Sequence, residues 1–524
     1  MSKVVSQRGV ICSPHPQASA AGLAMLDQGG TAIDAMLAAS ATLAVVYPHM
    51  TGLGGDALWM ISDGQRVETL VGIGQAGKRL PDGGKIHLRG PASAATTAGA
   101  LRSWSLAKQL SSERWGSLLT WETLLAKAIE YAEDGMQISA SQAFWQQQRK
   151  SLIAELPGLR SFCCDEEGRL LSEGSWVRQP RLAKTLKRLA VAGVDDFYQG
   201  EIGRSLAKGF AELGCGLTEQ DLIATKAYLQ DPIAIRYRKG TLYNVAPPTQ
   251  GLYTLRALNM LNHVDIGGCE NFGSDYYHYL VEAVKAMLLV RNKELCDPCS
   301  THFEYRSQLQ SEQSARDFAS LDPVSAHPWR EIGQPADTVW MAATDDKGRT
   351  ACLIQSLFHD FGSGCFIGDT GVLWLNRAAG FNTDPGHVNC WAPAKRPAHT
   401  LNPSSYLADN GEQFFFGTQG GDGQPQTQMV LATQLIDYQQ PIDRALFAPR
   451  FLLGRSFFDS TDNLKLESNI AKEVIEELED RGHETEVISE LSPYTGLAGA
   501  IAIYPDGVRE AMYDPRGQGI SLAQ

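Results

Sequence analysis

Apolar positions along the chain follow two periods, and the switches between them divide it into elements. Pro14–Gly30 reads as a helix ended by a glycine pair. Thr31-Ala-Ile-Asp34 has the spacing of a capping box and opens a second, apolar helix to about Val46. Gly52-Leu-Gly-Gly55 predicts a tight turn before a short strand, Ala57–Ser62. Residues 100–150 are helix-rich and carry Trp104, Trp115, Trp121 and Trp145 in a Leu/Ala background, which suits a core. Thr218-Glu-Gln-Asp221 caps another helix, Arg238–Ala246 is a strand running into Pro247-Pro248, and Tyr276–Leu295 is a long helix. Residues 303–335 are polar with little periodicity and predict an exposed linker. Strands dominate from 338 to about 420, after which helices and strands alternate to the end. No internal repeat or low-complexity tract interrupts this order. It predicts a layered α/β or α+β fold rather than a helical bundle or an all-β barrel.

The clearest period-2 stretch is a β-hairpin. Thr338–Thr344 alternates Val, Trp and Ala, Asp345-Asp346-Lys347-Gly348 supplies the turn, and Arg349–Leu357 returns. A three-residue loop with Gly348 in the left-handed region puts Thr338 opposite Ser356. A loop one residue different puts Gln355 or Leu357 there and turns Ser356 to the other face. By itself this is a plain hairpin with two hydroxyl residues that strands tolerate.

The 524 residues suffice for two domains or one large one with a sizeable core. A 43% hydrophobic and 20% charged composition reads as globular, and a net charge of −13 argues against a nucleic-acid partner. The N-terminal MSKVVSQRGVICS lacks a secretory signal pattern, and Ala35–Tyr47 is too short to span a bilayer, so a cytoplasmic location is expected. The ten cysteines show no tight disulfide framework. Cys296-Asp-Pro-Cys299 lacks a second ligand pair, and no metal site is expected.

Two glycine-rich stretches invite chemistry. Gly72-Ile-Gly-Gln-Ala-Gly77-Lys78 has the spacing of a phosphate loop. Arg79 then stands where a Ser or Thr would hold Mg²⁺, and Leu80-Pro81-Asp82-Gly83-Gly84 follows where a helix must begin. No GxSxG elbow and no HExxH pair occurs. Phe416-Gly-Thr-Gln-Gly420-Gly421-Asp-Gly423 instead joins a strand to a helical stretch, Gln426–Leu435. Backbone N–H groups at such a turn can converge on one anion.

Taken in order, several stretches resemble the γ-glutamyltranspeptidase family of N-terminal nucleophile (Ntn) hydrolases. They are His15-Pro-Gln-Ala-Ser-Ala-Ala-Gly22, Gly29-Gly-Thr-Ala-Ile-Asp-Ala35, Gly52-Leu-Gly-Gly55, Thr218-Glu-Gln-Asp-Leu222, Pro247-Pro248 and Asp297-Pro298. Phe361-Gly-Ser-Gly364, Lys395-Arg-Pro397, Gln419-Gly-Gly421, Ala448-Pro-Arg450 and Asp514-Pro-Arg516 follow. The resemblance implies an α/β fold, a four-layer αββα sandwich built from both segments of a self-cleaved precursor. It places the cut at Asp337–Thr338, giving a large subunit of residues 1–337 and a small one of 338–524. Thr338 would then be the nucleophile, with its own freed α-amine, of ordinary pKa about 8, as base. Ser356 matches the position, usually Thr, whose hydroxyl holds that amine. Gly420 and Gly421 match the backbone donors of the oxyanion hole. No cofactor is implied, and the partners are a small-molecule substrate and the two subunits, with a dimer of processed units possible.

The substrate pocket departs from the family. Where the family has a motif like Asn-Asn-Gln-x-Asp-Asp-Phe, this chain has Leu375-Asn-Arg-Ala-Ala-Gly-Phe381. Arg377 stands at the Gln and Gly380 at the Asp, so the carboxylate that holds a substrate α-amine is gone. Phe358 replaces an Asn and should shrink the pocket. Two carboxylate-binding serines become His399 and Thr400, and the family's carboxylate-binding Arg falls near Gly74. A planar cation suits a carboxylate. The expected substrate is a small carboxylated amide, as in the oxamate amidohydrolase branch, which works in purine (ureide) breakdown. A γ-glutamyl hydrolase or transpeptidase, a cephalosporin-type acylase, and an unprocessed binding homologue are the rival readings.

Overall fold

The computed structural model describes residues 2–329, 337–455 and 461–524. Residues 330–335 of the predicted linker and the side chain of Asp337 lie outside the described residues.

Two seven-stranded antiparallel sheets stack face to face. One runs, in spatial order, Val4–Ser6, Arg509–Tyr513, Ala498–Ile503, Gln413–Thr418, Ser404–Ala408, Gly240–Asn244 and Ile233–Tyr237. The other runs Ile520–Ala523, Val10–Ser13, Asp337–Thr344, Thr350–Phe358, Asp56–Ser62, Val67–Gly72 and Tyr228–Gln230. Each sheet draws strands from both sides of residue 337. Between them lies a core that includes Cys12, Leu58, Trp340, Ile354, Phe415 and Ile501. Trp340 reaches across to the opposite sheet, where only glycine fits beneath it: a Cβ at Gly417 or Gly499 would lie 2.3 or 2.2 Å from its ring.

Helices cover both outer faces. Pro16–Asp27, Ala32–Val46, Ala100–Trp115 and Trp121–Asp134 pack on the hairpin sheet. Gly251–Leu261, Ser274–Glu294 and Gln424–Ala432 pack on the other. The result is the four-layer αββα sandwich. It explains the near-continuous apolar run of the hairpin: Trp340 and Ala342 face the inter-sheet core, while Val339, Met341 and Ala343 face the helices.

The predicted capping boxes form at Thr31/Asp34 and Thr218/Asp221. Trp104 and Trp145 are buried, and Trp115 and Trp121 pack against the same core. The linker expectation needs correction. Residues 306–318 form two short helical segments, Arg306–Leu309 and Ser311–Phe318. Asp317 makes a buried double contact with Arg256 at 2.9 and 3.1 Å. Polar composition was misleading because two of these polar residues, Ser314 and Asp317, dock on the helix Gly251–Leu261, while much of the segment stays exposed. Among the described residues, no helix is long and apolar enough to cross a membrane.

Candidate active site

The hairpin takes the three-residue-loop register. Val339 pairs with Gln355, Trp340 with Ile354 and Thr344 with Thr350, and Gly348 has φ +78°. A bulge between Asp337 and Val339 then lets Asp337 face Phe358. Thr338 sits in that bulge, fully buried. Ser356 lies two residues beyond Ile354 and so shares its face, toward the other sheet. Its Oγ accepts the Phe358 N–H at 2.7 Å.

The opposite sheet delivers the glycine turn. Strand Gln413–Thr418 ends, Gly420 and Gly421 take φ +119° and +51°, and helix Gln424–Ala432 begins. A Cβ at Gly420 would meet nothing closer than 3.6 Å, so conformation rather than space demands glycine here. Among the described residues, neither the Gly420 nor the Gly421 N–H donates to any acceptor. Two side chains hold the turn from behind. Gln250 Nε2 donates to the Gly421 and Thr400 carbonyls, both at 2.8 Å, and Arg291 grips Asp422 at 2.6 and 3.0 Å. The first residue of the helix reaches the hairpin, with Gln424 Nε2 3.4 Å from Thr338 Oγ1.

Beside this lies a cleft of about 410 Å³ whose walls include Phe358, Arg377, Gly380, His399, Thr400 and Asp422. Arg377 is 1% exposed, and its guanidinium stacks over the Phe358 ring at 3.7 Å. Among the described residues, its Nε and both Nη atoms have no hydrogen-bond partner. Burial lowers its pKa to about 9, an effect Asp56 only partly offsets. His399 Nε2 lies 3.1 Å from Asp56 Oδ2. Burial and then Arg377 lower its pKa to about 4, so the ring is neutral at pH 7. With Nε2–H donating to Asp56, its buried Nδ1 is left as an acceptor without a partner, and Thr400 Oγ1 also has none. Asp56 is pinned by the Gly74 and Gly99 N–H groups at 2.8 and 2.9 Å.

The structure thus gathers Thr338, Ser356, Gly420 and Gly421 where the two sheets meet. Phe358, which faces Asp337 across the hairpin, joins them to Arg377, His399 and Thr400. The backbone closes tightly on Gly74, the position where the family's carboxylate-binding Arg falls. A Cβ there would lie 1.7 Å from the Thr97 carbonyl oxygen, so no side chain can stand at that position. Sequence reasoning missed Gln424, Asp56, Gln250 and the Arg291–Asp422 pair. Only Gln424 carried a signal, four residues past Gly420 at the helix start.

One cluster could hold a metal by ligand type: the buried His278, Glu282 and His483. Their acceptors are already engaged. His278 Nδ1 and His483 Nε2 share a 2.9 Å hydrogen bond, and the Lys285 ammonium sits 2.8 Å from Glu282 Oε1.

The gamma-glutamyltranspeptidase family model matches residues 18–523. The oxamate amidohydrolase proenzyme of Klebsiella pneumoniae subsp. pneumoniae is 40% identical, with 99% of each chain covered. The glutathione hydrolase-like YwrD proenzyme of Bacillus subtilis is 34% identical, again with 99% of each covered. Among solved structures, a cephalosporin acylase from Bacillus halodurans superposes with a TM-score of 0.89 at 28% identity, covering 100% of this chain and 97% of that one. A gamma-glutamyltranspeptidase chain from Pseudomonas nitroreducens covers 60% of this chain, with 95% of itself matched, at 27% identity and a TM-score of 0.54.

Proposed function

The chain belongs to the gamma-glutamyltranspeptidase family and is a hydrolase acting on amide C–N bonds; from that premise we propose that it cleaves itself at Asp337–Thr338 and hydrolyses a small carboxylated amide, oxamate above all. One observation carries the substrate class: the buried, unpartnered guanidinium of Arg377 in the cleft next to the nucleophile. An isolated buried cation is costly, and a carboxylate that docks on it offsets that cost. Among the described residues lining the cleft, the carboxylate Asp422 is already gripped by Arg291. Among those lining residues no carboxylate is therefore spare to pair with the α-amine of a γ-glutamyl substrate.

Self-cleavage would give a large subunit of residues 1–337 and a small one of 338–524, both contributing strands to each sheet. Relatives named as proenzymes support this.

In the proposed reaction, Thr338 Oγ adds to the amide carbonyl and its proton passes to the Thr338 α-amine. Ser356 holds that amine, and Gln424 steadies the hydroxyl. The oxyanion rests on the Gly420 and Gly421 N–H groups, each such donor being worth roughly 3 kcal/mol of barrier. The substrate carboxylate lies on Arg377, with Thr400 donating and neutral His399 keeping Asp56 in place. The C–N bond breaks, ammonia leaves with the proton held by the amine, and water hydrolyses the Thr338 ester to release oxalate.

The test is an intact mass with N-terminal sequencing of the wild type and of Thr338→Ala, followed by assays of ammonia release from oxamate and of glutamate release from glutathione. The wild type should give two pieces, the second beginning Thr-Val-Trp, and should release ammonia from oxamate; Thr338→Ala should stay whole and inactive. A wild type that stays whole would make the chain a binding homologue. Brisk glutathione turnover without action on oxamate would sink the pocket assignment.

A further inference from the structure

We propose that a second cavity at the glycine turn is a subsite for the amine half of the substrate, and that it takes an apolar, aromatic N-substituent. This rests on the roles given above to Thr338, the turn and Arg377. The cavity holds about 360 Å³ and is walled by Tyr47, Phe144, Trp145, Leu288, Leu453 and Leu497. Its polar edge includes Gly420, Asp422 and Gly423 of the turn itself. Arg291, Asn292 and Asp422 line both this cavity and the carboxylate cleft, so the two spaces meet there.

The amide group is planar. With its carbonyl oxygen on the Gly420 and Gly421 N–H groups and its carboxylate on Arg377, the C–N bond points away from the cationic cleft. The second cavity opens at the same turn, lined by Gly420 and Gly423. Its walls are hydrocarbon and aromatic faces, which gain from contact with an aryl or alkyl group and give nothing to ammonia. An N-aryl oxamate fits both spaces at once: an anion on Arg377 and a ring between Phe144 and Leu453. Its hydrolysis consumes one water and yields oxalate and the arylamine, through the same ester on Thr338.

The test compares oxamate and N-phenyloxamate on the processed enzyme, with oxalate release as the common readout. The expected kcat/KM is at least tenfold higher for N-phenyloxamate. Phe144 is 41% exposed, so Phe144→Asp leaves the fold intact, which its melting curve checks. This variant should cut the ratio of the two kcat/KM values at least tenfold, and the ratio cancels the intrinsic reactivity difference between the amides. Leu497→Gln, on another wall, should shift it the same way. Oxamate turnover equal to or above that of N-phenyloxamate, or a ratio unmoved by both variants, overturns the subsite while leaving the oxamate reading intact. Oxalate from neither compound overturns that reading, and the subsite with it.

Discussion

Two buried arginine sites in the C-terminal part of the chain are built on opposite terms. Arg450, Arg516, Asp514 and Glu467 form an ion-paired network at 0% side-chain exposure for both arginines and Asp514. Arg516 donates from Nε and Nη2 to Glu467 at 2.7 and 2.5 Å and from Nη1 to the Leu446 carbonyl at 2.8 Å. Burial alone would pull its pKa down, but Asp514 and Glu467 more than reverse this, and it is raised. Arg377 is as deeply buried, yet among the described residues its side-chain nitrogens have no partner, and its pKa falls to about 9. A buried charge that is paired belongs to the fold. One left unpaired beside a cleft is held for something the chain does not supply.

The largest effect expected from this contrast is on stability. Arg516→Met leaves Asp514 and Glu467 buried with Arg450 alone to neutralise them. Removing one partner of a buried pair costs about 3–5 kcal/mol. Urea denaturation should show that loss. A variant as stable as the wild type would break the contrast at its first term.

The opposite outcome is expected at Arg377. Arg377→Met removes a costly cation and should leave stability unchanged or higher. Activity on oxamate should fall by about 2–3 kcal/mol in kcat/KM, roughly 30- to 200-fold, the scale of a charge-assisted hydrogen-bonded pair. The pH dependence follows from the same shift. Because the folded pKa, about 9, lies below the ordinary value of 12.5, the unfolded chain holds the extra proton between them. This group's contribution to stability therefore rises with pH from about 9 to 12.5. Carboxylate binding needs the protonated form, so kcat/KM should fall about tenfold per unit above that point. Both slopes should vanish in Arg377→Met. A lower melting temperature for this variant would mean that Arg377 serves the fold after all.

The same contrast explains what the sequence could reveal. Period-2 alternation and turn chemistry made the hairpin legible and left three registers, between which the fold decides. The capping residues Thr31 and Thr218 announced their helices because a cap is a local event. Arg377 was found by its departure from a family pattern, and the sequence could not say whether an Asp or Glu would close on it. Asp297 and Arg396 were quoted as separate motif pieces 99 residues apart, and only the fold joins them at 2.6 Å. Asp56 was invisible for the same reason: its meaning lies in its contact with His399, far off in the sequence.

The finest test of the contrast concerns the ring beneath Arg377. Phe358 has φ +83°, a conformation as strained for Leu as for Phe, so Phe358→Leu changes the ring and keeps the backbone cost. The guanidinium carbon is 3.7 Å from the ring centroid, and the ring face stabilises the cation by about 0.5–1 kcal/mol. Losing it should weaken the protonated form of Arg377 and move the alkaline limb of kcat/KM about half a pH unit toward acid. At pH 7, where Arg377 stays charged either way, the rate should change by no more than a few fold. A paired arginine would not respond in this way, since its carboxylates fix its charge. If the limb stays in place, Phe358 serves only to fill the cleft. If it moves, the ring acts with Asp56 to hold Arg377 charged until a carboxylate arrives.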